Sequence, residues 1–176
     1  MLFSDRSLWT MLHGIALGGG TLVLLVTALV LLRAMAVPAG TVVPARQSTV
    51  FTWLTVSIAA LLWISVLSGT YIVFPMYRAT PPEGISSLAA YPRALLMSNP
   101  DTQWLHAFGM EIKEHMPWIA AMLATAAAFV ARRHRPTLLA DASLRRITGS
   151  LLTVALVLVA GIALLGTFVN KVAPLW

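Results

Sequence analysis

The sequence contains no cysteine, and only 10% of its 176 residues are charged. Without cysteine the chain has no disulfide, no thiolate-bound iron–sulfur cluster or zinc ion, and no covalently attached c-type haem. Soluble domains carry about 25% charged residues, so a soluble core could not hide the apolar surface of a chain this poor in charge. A lipid bilayer can accommodate that surface, because apolar side chains face lipid there.

Acidic residues are also scarce, with 6 Asp and Glu against 12 Lys and Arg, which gives a formal net charge of +6. A basic soluble protein would suggest a nucleic-acid partner. Here the basic residues stand at the ends of apolar runs, and no basic stripe alternates with stacking aromatic residues. The charge therefore indicates membrane topology, and we expect no nucleic-acid partner.

Apolar runs, of which the chain has four, are its most informative feature. Each predicted helix exceeds the roughly 20 residues that cross about 30 Å of hydrocarbon. We predict an all-α integral membrane protein, a four-transmembrane-helix bundle that forms a single domain over residues 1–176. The predicted transmembrane helices are 8–32, 50–74, 100–132 and 147–170, with an outer loop over 75–99.

The third of these helices is predicted to be long and kinked. Its continuous apolar part is short, so the helix must extend backwards through the polar segment before it. Asn99-Pro100-Asp101 is typical of a helix start, with a capping residue, a proline in the first turn and an acid near the positive end of the dipole. Pro117 removes one backbone donor inside the helix, which predicts a kink near the polar segment.

Arginine is distributed unequally between the two sides of the predicted bundle. The side richer in arginine is expected to be cytoplasmic, which places both termini on the outer side, N-out and C-out, of a bacterial inner (plasma) membrane. The cytoplasmic side would hold Arg33, Arg46, Arg132, Arg133, Arg135, Arg145 and Arg146, and the outer side Arg6, Arg78, Arg93, Lys113 and Lys171.

Histidines near the outer ends of the helices are the main candidates for chemistry. His13 precedes Arg33 by 20 residues and His115 precedes Arg132 by 17, so both lie about 25–30 Å from the inner boundary. Two histidines at one depth on different helices of a bundle suit a non-covalent haem b as axial ligands. His106 lies higher and is the reserve ligand. The alternative is that each histidine is a polar residue at the interface, hydrogen-bonded to a neighbour.

Other ionisable residues surround the predicted ligands. Glu111 lies four residues before His115 and could orient its imidazole. Glu111, Lys113 and Glu114 are candidates for a proton or quinol site beside the haem, or are solvated residues in weak local ion pairs. A metal bound directly by His13, Glu111 and His115 is a further possibility.

Small and polar residues on the first and fourth helices complete the candidate site. Gly14 and Gly18 form a small-xxx-small pair, which favours helix packing or makes room for a macrocycle. Asn170 and Lys171 could pair with a haem propionate, with Glu111 or with Glu114, or could serve as interface anchors.

The arrangement resembles small membrane cytochrome b subunits at the level of architecture. That resemblance implies electron transfer involving a quinol or a partner redox protein, with haem b and a quinone as cofactors. The chain would then not be an enzyme alone but an electron-transfer subunit of an oxidoreductase complex. The alternatives are a cofactor-free accessory subunit of a respiratory or photosynthetic complex, and a small proton or metal carrier. The expected partners are the lipid bilayer and other subunits of a membrane redox complex.

Overall fold

Four long helices account for most of the structure, a computed structural model that describes residues 4–175. Each is long and apolar enough to cross a membrane, and no strand occurs within the described range. A short helix lies between the second and third of them. In chain order the helices are α1 (Asp5–Ala34), α2 (Ala45–Arg78), α3 (Pro92–Met97), α4 (Leu105–Arg133) and α5 (Ala142–Val172).

The prediction of a four-helix, multi-pass membrane protein is confirmed at this level. The spanning helices α1, α2 and α5 extend beyond the predicted limits at both ends. The predicted helix start at Pro100 is wrong, because α4 begins at Leu105. The side chain of Asn99 accepts a hydrogen bond from the amide of Asp101 and closes a turn, rather than capping the helix. The kink at Pro117, which lies inside α4, stays a prediction.

The helices pack in the cyclic order α1, α2, α4, α5, so that each contacts its neighbour in the ring. Helix α4 contributes a face of small residues, which allows α2 and α5 to approach closely, as is typical of membrane helix interfaces. The buried members of this face are Ala120, Ala121, Ala124, Ala127, Ala128 and Ala131. Large apolar side chains remain exposed around the outside of the bundle, as lipid contact requires, among them Val23, Val30, Trp53, Phe129 and Val157.

The two ends of the bundle differ in composition, and we name them by it. The arginine end holds the loops over residues 35–44 and 134–141, and the lysine end holds the loop that contains α3. At the arginine end Asp141 caps α5, since its carboxylate accepts hydrogen bonds from the amides of Leu144 and Ser143. The bond from Leu144, with that from Ser143, lowers the pKa of the Asp141 carboxyl below its ordinary value.

At the lysine end three of the spanning helices contain π-helical turns. These segments are Leu12–Gly19 in α1, Gly69–Val73 in α2 and Leu105–Met110 in α4. A π-turn inserts an extra residue into the helical repeat, so it changes which side chains face the interior, and such turns occur frequently at functional sites. All three segments border the candidate site described next.

Candidate functional site

His13 belongs to α1 at the lysine end, and its ring lies against Gly69 of α2. A Cβ atom added to Gly69 would lie 2.8 Å from His13 Cε1, so only glycine leaves room for the ring in this position. His13 Nδ1 lies 3.4 Å from Ser68 Oγ. Since the Ser68 hydroxyl already donates to the carbonyl of Ser65, Nδ1–H is the donor in this contact. The lone pair of Nε2 is then left as an acceptor.

Lys113 reaches towards the same region from α4. Its ammonium lies against α5, where a Cβ added to Gly166 would be 2.9 Å from Nζ. Its charge acts electrostatically on the ring of His13. No hydrogen bond or ion pair joins Lys113 to another residue in the part of the chain that the structure describes. A base and a cationic donor therefore extend from different helices at the same end of the bundle, each beside a glycine.

His106 forms a second polar group, one to two turns nearer the lysine end of α4. Arg93 Nε donates to His106 Nε2 at 3.3 Å, which makes Nε2 an acceptor. The neutral ring then carries its hydrogen on Nδ1 and donates it to Tyr77 Oη at 2.8 Å. Both ring nitrogens are thus occupied, and His106 as reserve haem ligand would have to release Arg93. The phenolic hydrogen of Tyr77 is left to donate elsewhere.

Charged residues of both signs surround this Tyr77–His106 pair. Arg93, Arg78, Glu114 and Glu111 all act electrostatically on His106, and Glu114 also acts on Tyr77. The ring of Phe74 stacks on Tyr77, with 6.1 Å between centroids, and carries the guanidinium of Arg78 on its face. The predicted proton residues Glu111 and Glu114 therefore lie near His106.

His115 lies on the opposite face of α4 from Lys113. The two positions are two residues apart in the sequence, which is about 200° around an α-helix. The His115 side chain is 68% exposed. Its Nδ1 lies 2.8 Å from the backbone carbonyl of Glu111, whereas the Glu111 carboxylate is further away, at 3.8 Å. The backbone, rather than the carboxylate, therefore orients the imidazole, which differs from the interaction that the sequence suggests.

A haem held by both His13 and His115 does not fit these positions. The ring of His13 lies against Gly69 of α2, whereas the ring of His115 is on the exposed surface of α4, so the two imidazoles do not border one enclosed space. One side of the His13 ring is covered by Gly69 of α2. The haem therefore stays a prediction that the placement of these side chains does not support.

The remaining predicted residues are not brought into the site. Gly14 has nothing within 4 Å of an added Cβ, and the nearest atom to Gly18 belongs to its own helix, so neither packs against a neighbouring helix. Asn170 and Lys171 are exposed at the end of α5. Within the described residues, no hydrogen bond or ion pair links them to Glu111 or Glu114.

Four residues that the sequence did not single out shape the site. They are Ser68, Gly69, Arg93 and Gly166, which position His13, make room for it, bind His106 and make room for Lys113. The only available signal was a glycine following a serine inside an apolar helix, and glycine is common in membrane helices for other reasons.

Residues 4–175 contain no group of three or more His, Asp or Glu side chains placed to hold a metal ion. Comparison with protein-family models, with curated proteins and with solved structures gave no significant match.

Proposed function

We propose that this protein is an electron-transfer subunit of a membrane redox complex and that it binds a quinol at the lysine end of its helix bundle. The observation that carries the proposal is that Lys113 and His13 lie at the same end of the bundle, and that Lys113 has no hydrogen-bond or ion-pair partner among the described residues. An ammonium without an acceptor is costly among membrane-spanning helices, and ionisable residues there are functional candidates by default. A quinol moves within the bilayer and presents two hydroxyl groups on a ring, which supply the missing partners.

The chemistry of the two side chains is complementary to a quinol. One quinol hydroxyl would donate to His13 Nε2, the free acceptor. The Lys113 ammonium would donate to a quinol oxygen and stabilise the negative charge that develops as the proton leaves. Two-electron oxidation releases two protons and yields the quinone. Glu111 and Glu114, which lie within two residues of Lys113 on α4, are suited to receive the protons. The two electrons would pass one at a time to a haem or iron–sulfur centre on a partner subunit, which must be reoxidised between the two transfers.

The proposed orientation places the arginine end in the cytoplasm and the lysine end outside a bacterial plasma membrane. The unequal number of arginines supports it. Because the chain has no cysteine, single cysteines can report topology. A membrane-impermeant maleimide should label Ser86→Cys in intact cells and Thr137→Cys only after permeabilisation, since both positions are exposed. The reverse pattern would contradict the orientation.

Quinone binding is the direct test. The full chain, purified in detergent, is titrated with a short-tailed benzoquinone while tryptophan quenching is followed. Lys113→Gln removes a charged hydrogen bond of about 1.5–3 kcal/mol and should weaken binding at least tenfold. Lys171→Gln is the matched control, because it removes an exposed lysine at the same end. Equal affinity of the wild type and Lys113→Gln would contradict the proposal.

A cofactor-free accessory subunit is the second candidate. The alanine face of α4 supports it, because the close packing that this face allows is a structural role in itself. A wild-type chain that binds no quinone, yet co-purifies stably with large redox subunits, would favour this function.

The predicted haem b has a separate test. A b-type α-band in the reduced-minus-oxidised spectrum, lost in both His13→Ala and His115→Ala, would establish the predicted ligands. The quinol proposal makes a different prediction for these variants. His13→Ala should weaken quinone binding, whereas His115→Ala should leave it unchanged, because that side chain is exposed.

A further inference from the structure

A groove at the arginine end lies between the start of α2 and the end of α4, far from the quinol site. Its cavity is about 380 Å³, and its wall on α2 follows one helix face. The lining residues are Thr49, Thr52, Trp53, Val56, Arg132 and Arg135. The two sides of the groove differ in chemistry. The arginines of α4 and the loop after it form one side, and the residues of α2, including Trp53 and Val56, form the other.

The two arginines are not neutralised. No carboxylate lines the groove, and no described residue forms an ion pair with either guanidinium. Arg135 donates a hydrogen bond to the hydroxyl of Thr49, which draws it over the groove. The Thr52 hydroxyl donates to backbone carbonyls within the bundle and is not available. The groove therefore presents positive charge and guanidinium donors with no carboxylate to neutralise them.

The position of the groove matches the boundary of a bilayer. Arg132 belongs to the last turn of a spanning helix, where phospholipid head groups lie. Trp53 is 64% exposed and lies one turn from Thr49, about 6 Å further along α2 towards the membrane centre. Val56 continues the same face. An anion at the arginines would thus have an apolar surface directly below it.

We propose that this groove binds the phosphate group of an anionic phospholipid from the leaflet at the arginine end. Arg132 and Arg135 would hold the phosphate, and one acyl chain would lie along Trp53 and Val56. Guanidinium groups suit phosphate because they present paired donors, and basic pockets between membrane helices are known to bind lipid head groups. Free inorganic phosphate shares the charge but not the acyl chain, and the apolar wall favours the lipid.

Native mass spectrometry of the full chain in detergent tests this proposal. Phosphatidylglycerol and phosphatidylcholine with the same acyl chains are the probes. Each arginine near a lipid phosphate contributes about fivefold in affinity, so Arg132→Gln combined with Arg135→Gln should weaken phosphatidylglycerol binding about 25-fold. Arg133→Gln is the matched control, because Arg133 is exposed on the same turn but does not line the groove; it should bind like the wild type.

The outcomes separate the possible ligands. Equal retention of the two lipids, or an equal loss in Arg133→Gln and the double variant, would overturn the proposal. Displacement of the lipid by millimolar inorganic phosphate would identify free phosphate as the ligand and overturn the lipid source.

A second measurement does not depend on the folding of the arginine variants. Phosphatidylglycerol brominated in its acyl chain should quench Trp53, isolated as the difference between wild type and Trp53→Phe, more strongly than brominated phosphatidylcholine. Equal quenching by both lipids would overturn the proposal.

Discussion

Replacing Gly69 with alanine tests whether the ring of His13, a residue of α1, packs against α2 at this position. The new Cβ would be 2.8 Å from His13 Cε1 and 3.3 Å from Nε2, so the ring or the helix must shift. Overpacking of this kind costs about 1–3 kcal/mol. Alanine in a helix interior also gains about 0.5–1 kcal/mol over glycine. The expected net change for Gly69→Ala lies between none and a loss of roughly 2.5 kcal/mol.

Gly161→Ala is the matched control, because an added Cβ at Gly161 meets nothing within 4 Å. It should keep the helix gain alone, so the free energies of unfolding of the two variants should differ by about 1–3 kcal/mol. Unfolding is measured in mixed micelles by titration with a denaturing detergent. Equal stability of Gly69→Ala and Gly161→Ala would refute the placement of His13.

A double-mutant cycle assigns the cost to the histidine. In a His13→Ala background the clash at Gly69 is gone, so Gly69→Ala should behave like Gly161→Ala. Gly166→Ala is a useful contrast, since its close neighbour is Lys113 Nζ, the end of a flexible side chain that can move away. Its effect should be smaller than that of Gly69→Ala.

Three further predictions concern single hydrogen-bonding groups. Thr148 has a fully buried hydroxyl without a partner among the described residues, so Thr148→Val should raise the free energy of unfolding by about 1 kcal/mol in the same titration. Trp63 Nε1 donates to Thr125 Oγ1 between α2 and α4, so Thr125→Val should cost about 0.6 kcal/mol, whereas Thr27→Val, whose hydroxyl bonds only within α1, should cost less. The cap at Asp141 contributes stability above the ordinary pKa of a carboxyl and loses it as the pH falls through the lowered pKa; amide exchange in the first turn of α5 should therefore quicken at acid pH in the wild type but not in Asp141→Asn, where a non-titrating side chain keeps the cap.

The number and approximate positions of the spanning helices could be predicted from the sequence because apolar runs of this length have few alternatives. The last spanning helix begins five residues before its predicted start, because the charged residues that precede the apolar run continue the helix back to Asp141. The start of α4 could not be located, because Asn99-Pro100 closes an Asx turn as readily as it opens a helix.

The facing of polar side chains could be predicted only in part. Spacing alone establishes that Lys113 and His115 lie on opposite faces of α4, but not which of them faces inward. We predicted that His115 faces the interior, whereas Lys113 is the residue that lies against α5. The π-turns at Leu12–Gly19 and Leu105–Met110 add to the difficulty, since counting at 100° per residue does not apply through them. Contacts such as Arg93 with His106 depend on the path of a loop that no periodic pattern describes.

Photolabelling tests the central claim, that a quinol binds beside Lys113 and His13, most directly. An azidoquinone with a short tail is photolysed with the purified chain, and the labelled positions are mapped by mass spectrometry. We predict labels in the segments around His13 and Lys113, reduced in Lys113→Gln and retained in Lys171→Gln. Labels confined to the exposed apolar surface, or unchanged in Lys113→Gln, would contradict the account.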